Sequence, residues 1–233
     1  MLSIIVPAHD EAALIGATLA ALRTATETMQ LDHEILVVDD ASTDATGAIA
    51  AANGARVLRV AHRQIAATRN AGAAAAGGDR LLFVDADTVV DATVLAAAIA
   101  AMDHGAVGGG CRVRLAGRVR WRERVFTAAL MQLFRRVKIA PGCFLFCTRA
   151  AFDAVGGFDQ RWYAGEDVAM SRALAAHGHF VVLREAVLTS DRKLRTFSVR
   201  EHLRLLWRFM RGGRSILRSR EALGIWYDRR HEK

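Results

Sequence analysis

The sequence has few cysteines and no long apolar run. Its three cysteines, Cys111, Cys143 and Cys147, are odd in number and lack Cys-x-x-Cys spacing, which argues against a disulfide framework and against a structural zinc site. No window approaches the roughly 18 uncharged apolar residues of a membrane-spanning helix, because Asp, Arg or Lys interrupts each candidate. We therefore expect a protein with reduced thiols and no membrane span, located in the cytoplasm.

The amino terminus also lacks the features of a secretory leader. The short apolar run from Leu2 to Val6 leads directly into His9, Asp10 and Glu11, without a basic segment or a long apolar core. This pattern predicts that the chain carries no signal peptide.

Length, hydrophobicity and charge are the features that the chain does have. With 233 residues, of which 52% are hydrophobic, it can form one large domain, or one domain with a small appendage. The formal charge of +8 points to an anionic partner, which could be nucleic acid, a lipid surface or a phosphorylated substrate.

Short apolar strands alternate with amphipathic helices through the first part of the chain, which predicts a doubly wound α/β fold with a mainly parallel sheet flanked by helices. Ser42 or Asp44 is expected to cap the helix that follows the second strand. The predicted strands are Leu2–Pro7, Glu34–Asp40, Arg56–Val60 and Leu81–Val84, and the helices include Ala12–Arg23 and Ile65–Ala76.

Two carboxylates, Asp85 and Asp87, follow the fourth predicted strand directly. Ligands of open α/β sheets bind at the carboxyl ends of strands, and a hard divalent cation would offset the repulsion between two carboxylates placed this close together. The alternative is a solvated turn followed by a helix cap, since Asp is common at both.

The order and spacing of four stretches resemble the nucleotide-sugar glycosyltransferases of the GT-A fold, in particular the inverting family 2. The resemblance implies a catalytic domain over residues 1–185, with a donor half at 1–105 and an acceptor half at 106–185. The four stretches are Ser3–Glu11, Val37–Asp44, Ala67–Gly72 and Phe83–Asp87.

The resemblance also implies roles for residues of the donor half. Asp40 looks like the contact to the nucleotide base, Arg69 like a nucleotide or diphosphate contact, and Asp87, helped by Asp85, like the ligand of Mg²⁺ or Mn²⁺. Weaker assignments place Asp191 as a third metal ligand and Arg192 on the diphosphate. The remaining donor-site residues implied by the matching stretches are Pro7, Ala8, Asp10, Glu11 and Ala86.

The second half of the same family pattern is present at Pro141–Phe146, Phe152–Asp159 and Trp162–Asp167. By this resemblance Asp167 looks like the general base, with Glu166 beside it as a second catalytic carboxylate. The alternative is that both are only first-turn acids of a helix that runs to Ala176, stabilised by the helix dipole.

The function predicted is therefore a metal-dependent inverting glycosyltransferase. Its donor would be a nucleoside-diphosphate sugar, UDP by family frequency, and its acceptor a hydroxyl that could belong to a lipid-linked molecule. A non-catalytic nucleotide-sugar-binding or scaffold protein with the same fold is the alternative.

Four other functions are less well supported. A sugar nucleotidyltransferase would need a glycine-rich loop containing Arg where this chain has Ala8–Glu11, and no nucleic-acid-binding motif is present, so we predict no nucleic-acid partner. Gly105–Gly110 resembles a dinucleotide fingerprint, but it does not join a first strand to a helix. Cys143–Cys147 has apolar neighbours, which favours core packing over metal binding.

The basic residues cluster late in the chain, in a predicted helical tail over residues 186–233. Ser198 and Glu201 form a capping-box pair for a helix that carries an apolar stripe beside a row of arginines. Such a helix suits an anionic lipid surface at the inner face of the membrane. The alternative is that the stripe packs on the domain. A second amphipathic helix is predicted over Val119–Val137, on the acceptor side.

Overall fold

A computed structural model describes residues 1–116, 132 and 138–190. The predicted helix over Val119–Val137, apart from Gln132, lies outside the described residues, as do Asp191, Arg192 and the rest of the tail.

The amino-terminal half forms the alternating pattern that the sequence predicts, which confirms the α/β fold. Its strands are continuous apolar runs because both faces of the sheet are covered by helices. The elements are β1 (Leu2–Ala8), α1 (Ile15–Thr28), β2 (His33–Asp40), α2 (Thr46–Ala52), β3 (Arg56–Val60), α3 (Ile65–Ala75) and β4 (Arg80–Val84).

The predicted caps and bounds of two helices need correction. Helix α1 begins three residues later than predicted, because Leu14 and Ile15 donate their N–H groups to Glu11 O in a preceding turn, both at 3.0 Å. Helix α2 follows Ala45, which supplies no side-chain cap. Asp44 instead accepts the N–H of Thr46 at 2.9 Å.

The carboxyl-terminal half completes one eight-stranded sheet with the strand order β3-β2-β1-β4-β7-β6-β8-β5. Strands β1 to β4 pair in parallel, whereas β7 runs antiparallel to both β4 and β6. The elements of this half are β5 (Thr88–Val89), α4 (Ala92–Asp103), β6 (Gly108–Leu115), β7 (Phe144–Thr148), α5 (Arg149–Ala154), α6 (Glu166–His177) and β8 (Phe180–Thr189).

This sheet explains the glycine run Gly105–Gly110 and extends beyond the boundary predicted at residue 185. The glycine run that resembles a nucleotide fingerprint enters β6, where a Cβ on Gly109 would lie only 2.4 Å from the carbonyl oxygen of Val181. Close strand packing therefore explains the glycines. Strand β8 continues to Thr189, beyond the boundary predicted at residue 185, so residues 186–189 belong to the sheet.

The sheet separates two apolar layers. Alternate side chains of one strand enter opposite layers, as Ile4 and Ile5 do. Helices α1, α2 and α4 cover the Ile4 layer, and α3, α5 and α6 cover the Ile5 layer. Burial raises the pKa of the Cys111 thiol to about 12, and Cys147 is fully buried in the second layer. Both thiols therefore act as core side chains.

None of the helices in the described ranges combines the length and hydrophobicity that a membrane span requires.

Candidate active site

The turn that carries Asp85, Ala86 and Asp87 is held through its backbone at each residue. The N–H of Asp85 donates to Cys143 O at 3.2 Å. The carbonyl of Ala86 accepts the hydroxyl hydrogen of Thr18, a buried residue of α1, at 2.8 Å. The turn is thus fixed between the loop before β7 and helix α1, and its carboxylates are presented at the end of β4.

Asp87 is joined to the end of strand β8. The hydroxyl of Thr189 donates to Asp87 Oδ1 at 3.2 Å, and the N–H of Ser190 donates to Asp87 O at 3.3 Å. The chain therefore leaves the sheet beside Asp87. Asp191 is the next residue, and its assignment as a metal ligand stays a prediction because it lies outside the described residues.

Arg69 lies in the centre of the site and is only 2% exposed. Its Nη1 donates to Glu166 Oε1, while its Nη2 donates to both Asp85 Oδ1 and the carbonyl of Gly142, each at 2.9 Å. The guanidinium also lies over the ring of Phe158, 5.2 Å from the ring centroid. One side chain of α3 thus connects the end of β4, the loop before β7 and the start of α6.

Glu166 and Asp167 occupy the first turn of α6, which begins after Gly165 in the left-handed conformation (φ 77°). Glu166 is buried and faces Arg69. Asp167 lies against Gly142, where a Cβ would come within 2.9 Å of Asp167 Oδ2. The glycine at 142 therefore makes room for the predicted base.

The charges of this Arg69 cluster, which comprises Arg69, Asp85, Glu166 and Asp167, do not balance. Burial raises the pKa of Glu166 to about 7, against the opposing effect of Arg69, and the neighbouring Asp167 raises it further. Burial likewise raises the pKa of Asp167, again opposed by Arg69. Arg69 is ion-paired with Asp85 and Glu166, and Asp167 adds a third carboxylate nearby, so the carboxylates outnumber the guanidinium.

The loops after β1 and β2 hold a second set of carboxylates, in which backbone N–H groups are the main donors. Asp40 Oδ1 accepts the N–H of Arg63 at 2.8 Å, and its Oδ2 accepts the Thr68 hydroxyl at 2.7 Å and the N–H of Gln64 at 3.2 Å. Asp10 Oδ1 accepts the N–H of Thr43 at 2.6 Å. We call this set the loop clasp; its carboxylates are those of Asp10, Asp39, Asp40 and Asp44.

The loop clasp determines where the predicted donor-site residues lie. Pro7 and Ala8 are buried in β1. Glu11 donates its N–H to the hydroxyl of Thr46 at 2.8 Å. Asp40 reaches Thr68, the neighbour of Arg69 on α3, so this helix contacts both carboxylate sets.

Two residues of the site received no role from the sequence. His9 donates Nδ1–H to the carbonyl of Asp40 at 2.7 Å, because a carbonyl can only accept. Asn70 donates to Phe158 O at 2.8 Å and accepts the Phe158 N–H at 2.9 Å. Both His9 and Asn70 fall within the stretches that carry the family resemblance. The sequence therefore placed them near the site, but it did not show which groups they bond.

A surface pocket of about 640 Å³ lies beside α6, away from the predicted carboxylates. It is lined by Asn70, residues 155–161, Ala169, Met170 and Ala173, and includes none of Asp40, Asp85, Asp87 or Asp167. That these four line one pocket stays a prediction.

Within residues 1–116, 132 and 138–190, no group of three or more His, Cys, Asp or Glu side chains could hold a metal ion. That Asp85 and Asp87 share a cation with a further oxygen ligand, such as a diphosphate or Asp191, stays a prediction.

Residues 3–156 match the model of the glycosyl transferase family 2, and the chain belongs to this family. The mixed sheet between helical layers is the GT-A fold of its structural neighbours.

Among known proteins, the chain is 27% identical over 223 residues to validoxylamine A glucosyltransferase of Streptomyces hygroscopicus subsp. jinggangensis, a match that covers 76% of this chain and 52% of the relative. The chain thus spans about half the length of this curated relative.

Solved structures show the same fold at low sequence identity. S. aureus TarS in complex with UDP-GlcNAc superposes with a TM-score of 0.64 at 20% identity, over 81% of this chain and 58% of that one. The mannosyltransferase PcManGT from Pyrobaculum calidifontis, in complex with GDP-Man and Mn²⁺, gives 0.65 at 19% identity, over 93% and 62%. Glucosyl-3-phosphoglycerate synthase from Mycobacterium tuberculosis, with Mn²⁺ and UDP, gives 0.56 at 20% identity, over 80% and 70%.

Proposed function

We propose that the protein is a metal-dependent inverting glycosyltransferase that moves a sugar from a nucleoside-diphosphate sugar to an acceptor hydroxyl. The observation that carries the proposal is the Arg69 cluster, which joins Asp85 at the end of β4 to the first turn of α6, where Asp167 lies. The metal-side carboxylate Asp85 and Glu166, the residue before the predicted base, are far apart in sequence and are both hydrogen-bonded to one buried side chain.

A divalent cation suits the charge of this site. Asp85 and Asp87 would hold it, and the excess of carboxylates over guanidinium in the Arg69 cluster supports a need for positive charge. When bound, Mg²⁺ or Mn²⁺ would neutralise the charge that develops on the leaving diphosphate. Three structural neighbours are consistent with this, since two of their complexes contain Mn²⁺ and all three contain a nucleotide or nucleotide sugar.

Asp167 is the residue proposed to take the proton of the acceptor hydroxyl. Transfer proceeds through an oxocarbenium-like state, and a single base opposite the leaving group gives inversion at the anomeric carbon. Burial strengthens Asp167 as a base by raising its pKa.

The nucleotide would lie over the loop clasp. Asp40 is proposed to contact the base and the loop Asp10–Glu11 to flank the donor, because these residues surround the carboxyl ends of β1 and β2, where ligands of open α/β sheets bind. UDP is the proposed donor nucleotide by family frequency.

The acceptor is proposed to be lipid-linked or membrane-associated, with the basic tail as the membrane contact. The support is the sequence pattern of Ser198–Arg220, where arginines flank an apolar stripe. Sedimentation with anionic vesicles at low salt tests this. Loss of binding at high salt and on truncation after Arg195 is expected, whereas protein that stays in the supernatant with anionic vesicles at low salt would refute the membrane contact.

The proposed activity is tested by incubating the purified chain with UDP-, GDP- and dTDP-sugars in the presence of Mn²⁺ or Mg²⁺. Release of the nucleoside diphosphate from one donor, lost on addition of EDTA, is expected. A chain that binds these nucleotides with metal but releases none would instead favour the non-catalytic nucleotide-sugar-binding alternative. A chain that neither binds nor turns over any of them would exclude both.

A further inference from the structure

Arg69 and Glu166 are placed differently from groups that touch a substrate. Arg69 is 2% exposed and Glu166 is 7% exposed. Three of the five N–H donors of the guanidinium are already bonded to protein oxygens, on Glu166, Asp85 and Gly142. The Nε–H has no partner among the described residues, but it is buried as well, so a diphosphate could reach Arg69 only if the surrounding side chains moved.

Glu166 is similarly occupied. Its Oε1 accepts from Arg69 at 2.9 Å, and its side chain is only 10% exposed. Its neighbour Asp167 is half-buried and turned towards Gly142. Consecutive residues of a helix point about 100° apart, so when one acid of this pair faces the core, the other is free to face the acceptor.

The guanidinium also reaches the loop that precedes α6. It lies over the ring of Phe158, which packs edge-on against Phe83 of β4 with centroids 4.9 Å apart. The backbone of Phe158 is held in both directions by Asn70, the residue after Arg69. Adjacent side chains of α3 thus hold the loop before α6 and the first residue of that helix.

We propose that Arg69 and Glu166 form a buried bridge that positions Asp85 against the first turn of α6, and that neither residue contacts the diphosphate or accepts a proton. This inference rests on the proposed function, because the bridge matters for catalysis only if Asp85 holds the metal ion and Asp167 is the base. It differs from the roles implied by family resemblance, in which Arg69 binds the nucleotide and Glu166 shares in catalysis.

The test compares Glu166→Gln with Glu166→Ala in the full chain. Glutamine keeps an oxygen acceptor for Arg69 Nη1, whereas alanine leaves that N–H unpaired. Partners of metal-binding carboxylates typically change metal affinity by about 10- to 100-fold when removed. We expect Glu166→Ala to weaken Mn²⁺ binding, measured by calorimetry without nucleotide, by about 10-fold or more. Glu166→Gln should restore most of that loss and most of kcat.

A readout independent of metal and activity separates failure of the bridge from failure of the proposed function. Amide hydrogen exchange at the start of α6 should become faster in Glu166→Ala than in Glu166→Gln, whether or not the wild-type chain binds Mn²⁺ or transfers sugar. The matched control is Glu34→Ala, which removes a carboxylate bonded to Ser3 and Gly77 at the opposite end of β2. It should leave exchange at α6 and Mn²⁺ affinity at wild-type values.

Three results would overturn the bridge. One is equal hydrogen exchange in the two Glu166 variants, and another is a Glu166→Gln chain as inactive as Asp167→Asn although it binds Mn²⁺ normally. The third concerns Arg69→Lys, a point charge that cannot bridge two carboxylates in the same geometry. If Arg69→Lys leaves nucleotide-free Mn²⁺ affinity unchanged but weakens UDP, Arg69 is a diphosphate contact.

Discussion

The two sets of carboxylates, the loop clasp and the Arg69 cluster, differ in what neutralises them. In the loop clasp, Asp40 and Asp44 accept hydrogen bonds from backbone N–H groups and hydroxyls. In the Arg69 cluster, three carboxylates gather around one guanidinium. Backbone donors can satisfy an ionised carboxylate at any site. The carboxylates of the Arg69 cluster, in contrast, outnumber the single guanidinium that neutralises them.

This difference shows in the direction of the pKa shifts. For Asp44, burial raises the pKa, but hydrogen bonds from Thr46 and Ala12 outweigh it and the pKa is lowered. For Glu166, burial outweighs Arg69 and the pKa is raised to about 7. A carboxylate that accepts several hydrogen bonds is thus held ionised, whereas one buried beside a single guanidinium has its pKa raised.

The largest expected effect is on catalysis and concerns Asp167 alone. Asp167→Asn keeps the shape of the side chain but removes the base, so transfer should fall by about 10²- to 10⁴-fold. UDP binding in the presence of Mn²⁺ should remain, because the donor site is not altered. The measurement is the initial rate of sugar transfer beside a UDP titration, and a variant with the wild-type rate would exclude Asp167 as the base.

The second expected effect is on stability, and it distinguishes the ion pairs of the Arg69 cluster from an ion pair at the surface. Arg69→Met leaves the buried Glu166 and the partly exposed Asp85 without their cation, which should lower the free energy of unfolding by about 3–5 kcal/mol. Arg80→Met is the control, since Arg80 pairs with Asp103 where both are partly exposed, and exposed pairs contribute about 0–1 kcal/mol. Equal losses by urea denaturation would mean that the Arg69 cluster is not a buried ionic site.

The third expected effect is that the stability contributed by Glu166 decreases as the pH rises. Between the unfolded pKa of 4.5 and the folded pKa of about 7, Glu166 holds more proton in the folded than in the unfolded chain. The stability that Glu166 contributes to the metal-free protein should therefore be fully present below pH 4.5 and be lost as the pH rises to about 7, by at most about 3 kcal/mol. Asp44 acts in the opposite direction, and its contribution is lost as the pH falls below 3.8.

Urea midpoints in EDTA from pH 4.5 to 8 measure this slope. Glu166→Gln should reduce it, leaving the part that comes from Asp167. Excess Mn²⁺ should reduce it as well, because the cation supplies the missing charge. A wild-type profile that rises over this range would show that Arg69 outweighs burial.

Sequence reasoning located the first four strands and the acidic residues that follow them, because continuous apolar runs and turn residues are local signals. It could not assign a partner to each carboxylate. Arg69 and Glu166 are joined across 97 positions of sequence, and their contact depends on β7 entering the sheet antiparallel beside β4. Long-range pairing of this kind has no local signature.

The glycines illustrate the same limit. Gly142 precedes Cys143 in a stretch that matched the family, yet only the structure shows that a Cβ there would meet Asp167 at 2.9 Å. The role of Asp191 as a metal ligand is a prediction from sequence. The structure adds only that strand β8 ends beside Asp87, two residues before Asp191.

The smallest expected effect tests the loop clasp. Asp40→Ala removes an acceptor shared by Arg63, Gln64 and Thr68 just before and within α3. Leaving such donors unpaired should cost about 1–3 kcal/mol of unfolding free energy. Asp44→Ala is the matched control: its carboxylate also accepts backbone N–H groups, but it is exposed, so water can replace it and the cost should be smaller.

The same Asp40 variant tests whether the clasp also binds nucleotide. If Asp40 contacts the base, UDP affinity should fall in Asp40→Ala but not in Asp44→Ala, while nucleotide-free Mn²⁺ affinity stays unchanged in both. If Asp40→Ala lowers stability as expected and leaves UDP affinity at the wild-type value, Asp40 serves only to hold α3. Because α3 carries Arg69, a loss of Mn²⁺ affinity in Asp40→Ala would mean that the two carboxylate sets are coupled through this helix and do not act independently.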